Sequence, residues 1–292
     1  MTARRRLVKV PASSANLGPG YDVLGAALAM HLELEVEEVG SFSVEAAGLG
    51  VPLDRSNLCV RAFETLRSAD GIAFRIKSEI PLAAGLGSSA AAIVAGLLAA
   101  DHLYELAQEP EDVLAKAAEI EGHPDNVAAA LYGGFVVCAQ NDGALVTTRL
   151  DPPQGVEGVV VIPGEQIPTE EARTAIPEQI PLVDAVANIS AAAELVLGIQ
   201  RSDLTLIGRG LSDRIHQAHR AHLYPRSMEI VEEAPRMGAI GATISGAGPT
   251  VLFWVFFEQT GALVERLREE VDGWAEIRRL NFVALGADVA EL

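Results

Sequence analysis

Pro81-Leu-Ala-Ala-Gly85-Leu-Gly87-Ser88-Ser89-Ala90-Ala91 is the segment whose residue types best suit chemistry on a charged ligand. Two glycines allow a sharp turn and a close approach of backbone to ligand. Two serines follow, where an apolar helix begins. A helix start offers unpaired N–H groups and the positive end of the dipole, so it favours an anion. The serine hydroxyls add ligands for phosphate oxygen or a metal ion. The same residues permit two other readings. One is a glycine turn before an ordinary serine-capped helix. The other is a dinucleotide fingerprint, since Gly85-Leu-Gly87-Ser-Ser-Ala90 satisfies G-x-G-x-x-A. Against the latter, Pro81-Leu-Ala-Ala separates the strand from the first glycine, and about 80 residues precede it. No Gly-Lys-Ser or Gly-Lys-Thr occurs, so there is no Walker A loop.

Other chemistry-bearing residues say less. His216, His219 and His222 are spaced i, i+3, i+6, which matches no zinc motif well. Cys59 and Cys138 stand far apart, in neither metal nor redox spacing, and suit a reducing cytoplasm. The net charge of −18 argues against a nucleic-acid partner. Any phosphate site must then be local, built from backbone N–H groups and a few cations. Hydrophobic residues make up 49% of the 292-residue chain, enough for a sizeable core. The longest apolar run, Ala90–Ala100, is well short of the ~20 residues that span a bilayer, so no membrane partner is expected.

The elements that must position the loop are legible in outline. Leu7–Val10, Leu32–Val39, Phe42–Ala46 and Ala73–Lys77 read as strands, with a turn-rich stretch from Pro11 to Gly20. Asn57 suits the N-cap of a helix that Gly71 would stop. Helices are expected from Ser88 to about Ala107, from Pro110 to Gly122 and over Asp125–Leu131, then a strand over Phe135–Gln140. Asp151-Pro-Pro-Gln-Gly155 is the best linker. Beyond it come a strand (Val156–Ile162), helices near Leu182–Gln200, Leu211–His219 and Ser227–Met237, and strands Ala239–Ser245 and Thr250–Phe256 around Gly246-Ala-Gly-Pro249. A last helix and strand follow. The pattern is α+β, in two domains of similar size, 1–155 and 156–292.

Pro81-x-x-x-Gly-Leu-Gly-Ser-Ser-Ala resembles the ATP loop of the GHMP kinase superfamily. Three further segments narrow the resemblance to the homoserine kinase family. They are Pro11-Ala-Ser-Ser-Ala-Asn-Leu-Gly-Pro-Gly-Tyr-Asp22, Glu121-Gly-His-Pro-Asp-Asn126 with Gly133-Gly134-Phe135, and Ser245-Gly-Ala-Gly-Pro-Thr250. All four occur in family order and reach from Pro11 to Thr250. The resemblance implies a two-domain GHMP kinase fold. Its N-terminal, ATP-binding domain is S5-domain-2-like with a left-handed βαβ, and its C-terminal domain is ferredoxin-like. It implies ATP and Mg²⁺ as cofactors and L-homoserine as the small-molecule substrate, phosphorylated on its hydroxyl on the way to threonine. Another GHMP kinase acting on a different alcohol, an NAD-binding oxidoreductase and a catalytically dead relative are the alternatives. A homodimer is kept open.

The resemblance also assigns residues. Pro81, Leu82, Ala83, Ala84, Gly85, Leu86, Gly87, Ser88, Ser89, Ala90 and Ala91 would bind ATP. Ser89 and Glu119 would hold the metal, with Glu121 as the rival carboxylate. A zwitterionic substrate calls for a carboxylate at its ammonium and arginine at its carboxylate. Asn16 and Asp22 match the amino end and hydroxyl, and Arg173 and Arg220 the carboxylate. Arg173 belongs to Thr169-Glu-Glu-Ala-Arg173, and Arg220 to His216-Gln-Ala-His-Arg220, where Ala218 and His219 replace the family's Pro-Tyr. His123 and Asn126 should face the substrate. Asn126 stands where other members carry an aspartate base. Asn cannot usefully accept a proton, so the hydroxyl proton would pass to the γ-phosphate. Asp125 is the one nearby alternative base, and it reads as a helix cap. The loop Gly246–Pro249 is expected to support the site.

Overall fold

The computed structural model describes residues 4–292. In chain order its elements are β1 (Arg5–Ala15), β2 (Leu24–Glu38), β3 (Ser43–Glu45), α1 (Leu58–Glu64), β4 (Ile72–Ser78), α2 (Ser88–Tyr104), α3 (Pro110–Glu121), α4 (Asp125–Tyr132), β5 (Phe135–Asn141) and β6 (Ala144–Leu150). There follow β7 (Val156–Pro163), α5 (Thr169–Thr174), α6 (Leu182–Arg201), α7 (Leu204–Gly210), α8 (Gln217–Arg220), α9 (Pro225–Glu233), β8 (Gly241–Ile244), β9 (Val251–Phe256), α10 (Thr260–Glu270), β10 (Ala275–Leu280) and β11 (Asp288–Glu291).

Two sheets organise these elements. The first runs β11-β1-β2-β4-β3, with β5 branching from β2 and β6 pairing with β5; only β3 and β4 pair in parallel. The fifteen-residue β2 is its spine. Leu24–Ala26 pairs with β5 and Leu32–Glu38 with β4, while β1 lies along the other edge. The register of β1 on β2 slips between Pro11 and Ala12, where proline has no N–H to donate. The second sheet is antiparallel, in the order β10-β7-β9-β8. Phe135, Trp254 and Phe282, with ring centroids 4.9–5.5 Å apart, join the facing sides of the two sheets in a shared core, while Val159, Val161, Phe253 and Val255 on the other face of the second sheet belong to a separate core.

The structure extends and corrects several expectations. β1 runs through Ala15, so Pro11–Ala15 is strand rather than turn, with Ser13 and Ser14 buried. Asn57 does cap α1, its Oδ1 accepting the Cys59 N–H at 3.0 Å, but that helix ends at Glu64, not at Gly71. Leu211–His219 is not one helix; α7 ends before it and only Gln217–Arg220 is helical. Neither β6 nor β11 is announced by the sequence. The Asp142-Gly143 turn could have marked the β5–β6 hairpin. β11 pairs with β1, a return to the first sheet that nothing local specifies. α6 matches the helix expected near Leu182–Gln200 to within a residue. By length and composition it could cross a membrane (mean hydropathy 1.7). It lies along α7, burying Leu195, Gly198 and Ile199.

α2 packs against β1, β2, α1, α3 and α4, and twelve of its seventeen residues are buried. Its small alanines let these neighbours come close, and its start is thereby fixed at the junction of the two sheets. There the backbone allows no side chain. Gly85 has φ +81°, and a Cβ on it would lie 2.2 Å from Ser245 O and 2.9 Å from Gly248 O. A Cβ on Gly87 would lie 2.1 Å from Ser13 Oγ. Gly85→Ala should therefore lower stability by more than about 2 kcal/mol in urea unfolding. Gly261→Ala, in an exposed turn of α10 with nothing within 4 Å of a new Cβ, should be neutral or slightly stabilising. Equal effects would contradict the close-packed junction.

Candidate active site

A cleft of about 390 Å³ opens where the two sheets meet. Three backbone segments form its floor, tied by hydrogen bonds. Ser13 N–H donates to Leu86 O (3.1 Å) and Gly246 N–H to Ala15 O (3.1 Å). The Ser245 hydroxyl donates to Gly85 O (2.6 Å) and lies 2.8 Å from the Ser14 hydroxyl. Asn16 locks the first of these segments. It sits at φ +68°, a region that Asn tolerates better than most residues. Its Nδ2 donates to Gly246 O (2.8 Å), and its Oδ1 accepts the Asp22 N–H (3.0 Å).

The glycine–serine loop enters α2 through Gly87, which is left-handed (φ +70°) and serves as the N-cap. No side chain caps this helix, so the serine-capped reading does not hold. The first-turn N–H groups remain for a ligand. Leu82, Ala83, Ala84, Gly85, Leu86, Gly87, Ser88 and Ser89 line the cleft; Pro81, Ala90 and Ala91 do not, and the two alanines are fully buried in the core. Gly85 owes its missing side chain to Ser245 and Gly248, a packing demand unrelated to a dinucleotide.

The carboxylates are sorted by helix geometry. Glu121, at the end of α3, reaches the Ser89 hydroxyl in a short hydrogen bond and lines the cleft. Glu119 is exposed and does not line it. Two residues turn a helix by about 200°, so both side chains cannot face one cleft. The expectation that Glu119 stands beside Ser89 is thus corrected to Glu121. Burial pushes the Glu121 carboxyl above the usual carboxylate range, against the Ser89 hydrogen bond and His123.

His123 and Asn126 both line the cleft. The Ser13 hydroxyl donates to Asn126 Oδ1 (2.9 Å), so the amide has its N–H donors left to offer. Asp125 is not an N-cap but the first residue of α4. Its Oδ1 accepts the Asn126 N–H (2.8 Å) and lies 3.0 Å from His123 Nδ1, while its buried Oδ2 has no partner. Burial alone would lower the His123 pKa. The hydrogen bond and charge of Asp125, with Glu121 3.9 Å away, outweigh it and hold the imidazole pKa above its ordinary value.

Asp22 and Arg173 face each other across the cleft. Arg173 donates to both carboxylate oxygens of Asp22 (2.7 and 3.1 Å) and to the Tyr21 hydroxyl (3.0 Å). Thr169, at the start of the same short helix α5, lines the cleft. Arg220 is 1% exposed and has no carboxylate partner. Its Nε donates to Ala172 O (2.7 Å), and one terminal nitrogen lies 3.3 Å from both Gly246 O and His216 Nδ1. Every expected substrate residue is therefore at the cleft. Apolar lining by Leu49, Val51, Leu58 and Ile80, with Ser56, Asn57 and Ser78 among them, extends the cleft beyond Leu82 and is not announced by any sequence motif. Nor is Asp213, a fully buried carboxylate that accepts N–H groups from Ile215, His216, Gln217 and Asn188 and so shapes the entry to α8. An Asp just ahead of a short polar helix could have signalled it. Among the described residues no group of three His, Cys, Asp or Glu could hold a metal, so the His216-His219-His222 spacing forms none.

Family models match residues 57–134 (GHMP kinases N terminal domain) and 193–274 (GHMP kinases C terminal). The chain is 41% identical to a homoserine kinase of Streptomyces avermitilis, over 98% of this chain and 95% of that one. It is 38% identical to one of Moorella thermoacetica, over 84% and 86%. A crystal structure of homoserine kinase from Cytophaga hutchinsonii superposes with a TM-score of 0.87 at 31% identity, covering 98% and 97%.

The raised His123 pKa carries a sign. Its pairing with Asp125 stabilises the fold fully below the unfolded value of about 6.5, and the benefit fades as pH rises through the raised value. Thermal melts of wild type and His123→Gln should differ by a few degrees at pH 6. The gap should narrow as pH climbs past 7; a gap that widens would contradict the pairing.

Proposed function

Because the chain belongs to the homoserine kinase family of GHMP kinases, we propose that it transfers the γ-phosphoryl group of ATP to the hydroxyl of L-homoserine, giving ADP and O-phospho-L-homoserine. The observation that carries this reading is the Asp22–Arg173 pair, 2.7 Å apart, in the same cleft as the start of α2, which no side chain caps. An α-amino acid carries ammonium and carboxylate on one carbon, so the charges that recognise it must also be neighbours. An incoming zwitterion would exchange one protein ion pair for two with itself. Asp22 takes the ammonium. Arg173 and the otherwise uncompensated Arg220 take the carboxylate, with Thr169 at the rim. Asn16 holds the Asp22 backbone in place.

On the donor side, the apolar lining of the cleft suits a nucleobase, and the N–H groups of Leu82–Ser89 and the α2 start suit its phosphates. Ser89 and Glu121 form an all-oxygen donor set that fits Mg²⁺, typically held by one or two protein oxygens plus phosphates. When bound, that ion would neutralise charge on the phosphate oxygens. Phosphoryl transfer needs positioning and charge neutralisation more than covalent help from the protein. Asn126 orients the hydroxyl through its amide N–H, and the γ-phosphate takes the proton. Against the effect of burial, Asp125 and Glu121 raise the His123 pKa and so favour its charged form in the same region. Residues 1–155 are then the ATP-binding unit and 156–292 the second, which lends β11 to the first sheet. The unpaired, buried Cys59 and Cys138 suit a reducing cytoplasm, and a homodimer is compatible with this reading.

The test is ADP release with homoserine, mevalonate, shikimate and galactose as acceptors. Turnover confined to homoserine is expected, and no turnover with it would sink the reading. Glu121→Gln should cut kcat on the order of 100-fold, while Glu119→Gln should stay within about twofold; the reverse order would return the metal to Glu119. Asp22→Asn should raise KM for homoserine far more than KM for ATP.

A further inference from the structure

The ring of His216 is completely buried in the fold, outside the roles assigned so far. Its two nitrogens have neighbours that leave no choice of tautomer. Nε2 lies 2.8 Å from the Gly18 carbonyl, which can only accept, so Nε2 carries the proton. Nδ1 lies 3.3 Å from a terminal nitrogen of Arg220, which can only donate, so Nδ1 carries a lone pair. The ring thus bridges two parts of the cleft. One is the arginine from α8. The other is the first glycine-rich segment, two residues on from Asn16 and four before Asp22.

We propose that His216 is a positioning residue, an Nε2–H imidazole that holds the Arg220 guanidinium in register for the substrate carboxylate and ties it to the segment that carries Asp22. This rests on the assignment of Arg220 to that carboxylate. Arg220 needs such a holder because nothing charged holds it. Asp22 is taken by Arg173, and Asp213 is saturated by four N–H donors. A carboxylate in place of His216 would neutralise Arg220 and compete with the substrate, whereas an uncharged acceptor fixes the guanidinium and leaves its charge unspent. The charged groups around the ring are Asp213 (3.7 Å), Arg220 and, more distantly, Asp22; Tyr21 stands beside it at 5.7 Å between centroids. Burial, with Arg220 adding to it, lowers the imidazole pKa, consistent with an uncharged ring.

The experiment combines His216→Phe, which keeps an aromatic ring and loses both hydrogen bonds, with Arg220→Met. Arg220→Met should raise KM for homoserine roughly 10- to 100-fold. His216→Phe should raise it roughly 5- to 10-fold, with kcat and KM for ATP within about threefold. In the Arg220→Met background, His216→Phe should add less than about twofold, since the two act as one unit. If Arg220→Met leaves KM unchanged, the carboxylate assignment falls and the positioning role with it. If Arg220→Met raises KM while His216→Phe does not, or the two effects multiply, or KM for ATP rises equally, the positioning role alone is overturned. Nitrogen-15 spectra of the wild-type histidines test the same claim without any variant. His216 should appear as the uncharged Nε2–H tautomer at pH 6, and a charged or Nδ1–H ring would overturn the proposal.

Discussion

The structure depends on one close approach of backbone to backbone. Gly85 lies so near Ser245 and Gly248 that a single carbon between them has no room. Ser13 fills the corresponding space at Gly87, and Asn16 spans from the first segment to Gly246. A strand end, a helix start and a hairpin turn from the other sheet thus share one junction. The cleft is the opening this junction leaves. Its floor is backbone, which gives N–H and C=O groups fixed in place by the packing.

The charges are arranged around that floor with economy. A chain of net charge −18 brings Arg173 and Arg220 to the same cleft. One is neutralised by Asp22; the other is buried among carbonyls and an imidazole. Burying a cation without a counter-ion is costly. Here three neutral acceptors offset part of that cost, and a ligand carboxylate would supply the rest. Glu121 shows the complementary case. Its buried carboxylate accepts the Ser89 hydroxyl near His123, and burial raises its pKa.

Much of this was legible in the chain. The segments around Asn16, Gly85, Asn126 and Gly246 each carry glycines or small polar residues that local physics reads as turns and helix starts. Their agreement with one family pattern identified the chemistry. Less legible were contacts that depend on rotation about a helix or on distant partners. Glu119 and Glu121 are equivalent in composition and differ only in which way α3 turns them. Asp213 and the tie of His216 to Gly18 emerge only when α8 is packed against the first segment. β11 gains its identity only from β1.

By itself, the sequence determined the class of fold, the family, and the loop and residue types expected to meet phosphate and a zwitterion. These rest on local rules: glycine where the backbone turns, serine where a helix starts, opposite charges where a zwitterion binds. Only the tertiary structure decided which glutamate faces Ser89, that Gly87 rather than a serine caps α2, and that Asp22 and Arg173 are neighbours although 151 positions apart. Those choices depend on distances between segments remote in the chain. Packing of α2 and the aromatic join between the sheets set those distances, and no local pattern encodes them.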